Sequence, residues 1–145
     1  MSRYKTAVII TCGAAKVDHP VEHAKDLYTG SFFASARKWA ESVPCDQWYI
    51  LGYKFGLIDP LQPMEPYEFP PPNRIPEAWH DALCETLKER GFQKAVFACK
   101  GVYVPSLRPG VRYAFDELPR NGIGYQKGWF VNNRCRLPQV VGCLQ

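Results

Sequence analysis

The chain has 145 residues, 46% hydrophobic and 22% charged, which favours one globular domain with a sizeable core and excludes a disordered polyelectrolyte. A formal net charge of +4 permits a polyanionic partner without demanding one. The six cysteines form no Cys-x-x-Cys pair, the three histidines no zinc-ligand spacing, and no apolar run approaches the ~20 residues of a membrane span, so a cytoplasmic, reduced-thiol protein without metal, cofactor or membrane contact is expected.

"MSRYKTAVII" has too short an apolar run for a signal sequence and leads straight into a strand. "TAVIITC" (6–12) is short, continuous, β-branched and bounded by Gly13, the pattern of a buried strand. In "GSFFASARKWAESV" (30–43), Phe32, Phe33, Ala36, Trp39, Ala40 and Val43 recur at helical spacing, with Ser31 as the expected N-cap. "QWYILGY" (47–53) reads as a second buried strand. The Pro-rich run 54–76 reads as a rigid, extended loop of the same domain, because apolar residues are interleaved through it.

"IPEAWHDALCETLKERG" (75–91) predicts a helix with Pro76 and Glu77 in its first turn and Gly91 at its exit. Its expected buried stripe is Ala78, Trp79, Ala82, Leu83 and Leu87. "KAVFAC" (94–99) and "VRYAFDE" (111–117) are the third and fourth expected strands, and "GIGYQKGWFVNN" (122–133) a final helix weakened by three glycines. The alternation predicts a single α/β domain over 1–145: a small three-layer sandwich around a short, mostly parallel four-stranded sheet.

In such sheets ligands bind outside the carboxyl ends of the strands. The expected loops there are 13–29, 53–74, 100–110 and 118–122, and the first two are far longer than a connection needs. Cys12 ends the first strand with Lys16 close behind, an arrangement that suits a nucleophile, although a strand-end cysteine also serves as a small core residue. Lys54 leaves the second strand at the same edge, after a Gly52 that permits close approach. Asp26, Asp59, Glu65 and Glu68 supply carboxylates for proton transfer or water activation, with Asp59 before Pro60 equally a turn residue. Tyr28, Tyr53, Phe55 and Tyr67 are aromatics on which a nucleobase could stack. No phosphate-binding loop, dinucleotide fingerprint, metalloprotease helix or serine elbow is present.

"CGAAK", "DLYTGSFFASARKWAE", "WYILGYKFGLIDPLQPMEPYE" and "GIGYQKGWF" resemble, in order, the motifs of a small phage and bacterial family of unknown function: C-S-x-x-K, then P-A-x-x-L-Y-x-x-x-L-F, then I-L-S-A-K-x-G-L with a later P-Y-D. That family is distantly similar to the archaeosine synthase core domain, to YaaA-type peroxide-stress proteins and to uracil-DNA-glycosylase-like folds. The resemblance spans residues about 8 to 131 and implies a nucleobase or nucleic acid as ligand. It matches Cys12, Lys16, Asp26, Leu27, Tyr28, Lys54, Gly56, Leu57, Pro60, Pro66 and Tyr67. Gly13 replaces the motif's serine, Gly52 and Tyr53 replace Ser-Ala, and Glu68 replaces the aspartate. The glycosylase water-activating motif is missing after the first strand, so glycosidic-bond hydrolysis does not follow from the fold.

The expected function is therefore recognition or processing of a nucleic-acid base, on DNA or tRNA. Cys12, Lys16 and Lys54 are its catalytic candidates; Gly13, Asp26, Tyr28, Gly52, Tyr53, Asp59, Glu65 and Tyr67 are its substrate-binding candidates. One alternative is a non-catalytic DNA- or RNA-binding module using arginines 108, 112, 120, 134 and 136. Another is a phage-type interaction factor that meets a protein partner through "MEPYEFPPPNRIP".

Overall fold

The computed structural model describes residues 5–98, 123–136 and 142–143. Strand β1 (Thr6–Thr11) is buried along its whole length, as its unbroken apolar run requires. Helix α1 (Ser31–Ser42) follows, then β2 (Gln47–Gly52), a short β3 (Gly56–Ile58), α2 (Glu77–Glu89), β4 (Lys94–Ala98), α3 (Ile123–Asn132) and a two-residue β5 (Gly142–Cys143).

The sheet order is β3-β2-β1-β4-β5. β1 pairs in parallel with both β2 and β4, while β3 and β5 add antiparallel edges. The expected mixed α/β class and mostly parallel open sheet hold, and β5 adds only a stub. The strand expected at 111–117 lies outside the described residues, as does Cys99. β3 and β5 were not anticipated.

Alternation along the strands sorts the core into two layers. Val8, Ile10, Ile50, Val96 and Ala98 pack with α1 and α3 through Phe32, Phe33, Ala36, Trp39, Trp129 and Phe130. Ala7, Ile9, Tyr49, Leu51, Ala95 and Phe97 pack on the opposite face against Leu83 and Leu87 of α2. Three layers result. The Trp39 indole N–H donates to the Asn133 carbonyl at 3.1 Å, and the Asn133 amide donates to the Trp129 carbonyl at 2.8 Å, which ties α1 to the end of α3. Satisfied donors let large aromatics be buried there without a polar penalty.

Two local expectations are corrected. Gly30, with extended backbone, is the N-cap of α1, and Ser31 is already helical. The buried positions of α2 are His80, Leu83, Cys84 and Leu87, whereas Ala78 and Ala82 are exposed and Trp79 is half-buried. Alanine fits either side of a helix, so the larger Leu and the aromatic neighbours decide its rotation. Gly91 closes α2 at φ +86°, the left-handed exit expected of it.

Candidate functional site at the carboxyl edge of the sheet

The connections fix where a crevice must open. β1 leads into α1 on one face of the sheet, and β2 leads towards α2 on the other. Neighbouring parallel strands whose chains depart to opposite faces part at their carboxyl ends, the side on which α/β sheets bind ligands. Here such a parting lies between Thr11 and Gly52.

Cys12 continues β1, its backbone N–H donating to the Leu51 carbonyl at 2.9 Å. It shares the α1 face with Gly52, the residue beside it on β2. A Cβ at Gly52 would stand 3.3 Å from the Cys12 sulfur and 3.2 Å from the Tyr67 hydroxyl. The bare glycine thus lets the thiol and the phenol meet; the close approach it permits is by the protein's own side chains. Cys12 is a half-buried thiol.

Tyr67 is the hub. Its hydroxyl lies 2.7 Å from that of Tyr28. Burial pushes its phenol up to about 12, partly opposed by the Tyr28 hydrogen bond and reinforced by Cys12 through charge and a hydrogen bond. Either hydroxyl of the Tyr28–Tyr67 pair can donate, and Tyr67 also hydrogen-bonds Cys12.

Both lysines converge on this ring. The Lys16 ammonium stands 4.6 Å from the Tyr67 centroid and 5.9 Å from that of Tyr28, and donates to the Ala14 carbonyl at 3.0 Å. Its position is set by an antiparallel bridge between Lys16 and Tyr28, which folds loop 13–29 back on itself. The Lys54 ammonium lies 5.8 Å from the Tyr67 ring. Neither lysine is paired with a described carboxylate. Lys54 sits at the tip of the three-residue turn joining β2 to β3, with Gly56 at φ +69° where the hairpin needs a left-handed residue. The presumed long loop 53–74 thus opens with a hairpin.

The remaining candidates divide. Tyr28 and Tyr67 join the cluster, but Tyr28 is only 6% exposed and packs on Phe33, so it stacks on no ligand. Tyr53 already stacks with Phe69 (6.0 Å, 15°) and Trp79 (5.6 Å, 25°). Gly13 follows Cys12 in open space.

Asp26 points elsewhere: it pairs with Arg37 of α1 at 3.0 Å, within an exposed network that includes Glu41 and Lys25. Asp59 accepts from the Leu61 N–H at 2.9 Å and is a turn residue. Glu65 and Glu68 are exposed and form no ion pair with a described residue. Phe69 and Trp79, absent from the expected site, stand beside it; the signal for Phe69 was the alternation of aromatics and prolines in "PYEFPPP", while Trp79 was read only as part of the α2 stripe.

Among the described residues no group of three His, Cys, Asp or Glu side chains could hold a metal ion, and no helix is long and apolar enough to cross a membrane. The arginines at 108, 112 and 120 lie outside the described residues, while Arg134 and Arg136 are exposed just beyond α3.

No curated protein and no solved structure matches the chain. A family model does, over residues 7–132, which takes in both strands and both loops of the site. The chain belongs to a family of unknown function (DUF6884).

Proposed function

We propose that the chain binds a nucleobase-bearing anion at the carboxyl ends of β1 and β2 and acts on it through Cys12. The observation that carries this reading is the convergence of Lys16 and Lys54, neither paired with a described carboxylate, on one tyrosine whose hydroxyl reaches the Cys12 thiol. Two cations beside aromatic rings suit a phosphate and a planar base. Cys12 is the candidate nucleophile. The thiolate is the form that attacks, and the Tyr67 hydroxyl is its hydrogen-bond partner.

Lys16 and Lys54 are assigned to phosphate. Tyr67 is a positioning residue, held by its hydrogen bond with Tyr28. A distant similarity of the family to the archaeosine synthase core domain and YaaA-type proteins, as its motifs imply, would support a nucleic-acid ligand. The three-layer arrangement about a parallel centre is compatible with a uracil-DNA-glycosylase-like architecture. That glycosylase comparison extends to the fold alone.

Binding without chemistry is the second reading, and one observation favours it. Asp26 and Asp59, expected to supply a general base, are engaged away from the thiol. A hydrolytic mechanism through either of them has no support.

The test is nucleoside mass spectrometry on DNA and tRNA incubated with the protein and with Cys12→Ser and Lys54→Ala. A mass change or base loss abolished by Cys12→Ser supports the catalytic reading. Salt-sensitive binding with no mass change, retained in Cys12→Ser, supports the binding module. Neither binding nor mass change would sink both.

A further inference from the structure

The rings expected to take a base offer little: Tyr28 is buried, and Tyr53 is already sandwiched into contacts with Phe69 and Trp79. The exposed aromatic surface lies one step outward. Phe55 at the hairpin and Phe69 in the Pro-rich segment are 47% and 48% exposed. We propose that Phe55, Phe69 and Lys54 form a track for a single-stranded polynucleotide, with unpaired bases stacking on the two rings and a phosphate held by the lysine. This deepens the nucleobase reading and rests on it.

The geometry favours that occupant. The Lys54 ammonium lies 5.2 Å from the Phe55 centroid and 5.7 Å from that of Phe69, so one cation serves both rings. Phe69 lies nearly parallel to Tyr53, and Tyr53 nearly parallel to Trp79. Phe69 extends this column towards solvent, where a further planar ring would continue it. Phe55 meets Tyr67 edge-on at 5.0 Å, which props the ring without covering both of its faces.

Charge agrees. Glu68 lies between Tyr67 and Phe69 in the Pro-rich segment and is exposed. Its carboxylate forms no ion pair with Lys54, although both neighbouring rings approach that lysine. The cation therefore remains available to an anion. Prolines 66, 70, 71 and 72 brace the segment, which lowers the ordering cost of presenting Phe69. A duplex keeps its bases stacked away from such rings and would use Lys54 alone. A proline-rich peptide would use the rings and leave the lysine without an anion.

The experiment is fluorescence anisotropy with labelled dT12 and rU12, a duplex of equal length, and a nucleoside monophosphate as competitor, at two salt concentrations. Either single strand should bind more tightly than the duplex, the two arms showing whether the sugar matters. Phe69→Ala and Phe55→Ala should each weaken binding about 5- to 100-fold, as losing one base–aromatic stack does. Phe69→Leu keeps the bulk and should bind as weakly as Phe69→Ala, which separates stacking from folding. Lys54→Ala should weaken binding and reduce the salt slope by about 0.7.

If the monophosphate binds but the oligonucleotides gain nothing and the phenylalanine variants behave as wild type, the track is overturned and the nucleobase reading stands. Equal or tighter duplex binding also overturns the track. Binding of none of the probes overturns both.

Discussion

The Tyr28 and Tyr67 hydroxyls lie 2.7 Å apart, joining a buried ring of the α1 layer to the loop that closes over Cys12. The pair pins the Pro-rich segment to the core.

Tyr67→Phe should reveal the half-buried phenol in a pH titration of stability. The native phenol, raised to about 12, keeps its proton when the unfolded phenol, near its ordinary 10, has lost it. The Tyr67 contribution is therefore complete below about pH 10 and fades as pH rises towards 12. Urea unfolding of wild type and Tyr67→Phe between pH 9 and 11.5 should show a shallower loss in the variant. Parallel curves would mean that Tyr67 ionises alike in both states.

Gly52→Ala should cost about 1 kcal/mol, the lower range for an overpacked methyl. The added carbon meets Tyr67 Oη at 3.2 Å and Cys12 Sγ at 3.3 Å, and one of them must move by a few tenths of an ångström. Combining it with Tyr67→Phe should recover part of the loss, a coupling that a double-mutant cycle reads directly. Strict additivity would place the strain elsewhere.

His80→Leu should alter stability below neutrality. Burial holds the His80 imidazole below its ordinary value, with Asp81 working in the opposite direction. The unfolded state then binds a proton that the native state refuses, so stability is lost as pH falls through about 6.5 and further. Chemical denaturation at pH 7.5 and 5.5 should show a smaller drop for the leucine variant than for wild type.

Asp26→Asn removes the 3.0 Å ion pair with Arg37. Because these groups are partly exposed, the loss should stay within about 1 kcal/mol, and ligand binding should be unchanged. A large fall in affinity with little change in thermal midpoint would return Asp26 to the site.

The frame was legible wherever hydropathy was strong. Residues 6–11, 47–52 and 94–98 carry continuous apolar runs, and 31–42 and 77–89 show helical spacing, so these elements appear where expected. The hairpin strand 56–58 escaped because three residues are too few for a period to register. The rotation of α2 escaped because Ala78 and Ala82 look apolar but carry little area to bury.

At the site, Cys12, Lys16 and Lys54 were legible because strand ends converge by construction. The carboxylates were not, since Asp26 is claimed by an arginine eleven positions away and Asp59 by its own turn. Nor could spacing show that Tyr28 would be sealed in the core while Phe69, two residues past Tyr67, stayed open to solvent.

The two short antiparallel strands have a consequence for self-association. An open sheet grows by recruiting strands at its margins, and a long unpaired margin invites aggregation. Here β3 pairs with Ile50, Leu51 and Gly52 of β2, and β5 with Lys94 and Ala95 of β4. β3 offers a neighbouring molecule three residues on one side, and β5 offers two on the other. Among the described residues these stubs are the outermost strands, so each flank presents only a short antiparallel strand to a neighbouring molecule alongside part of β2 or β4.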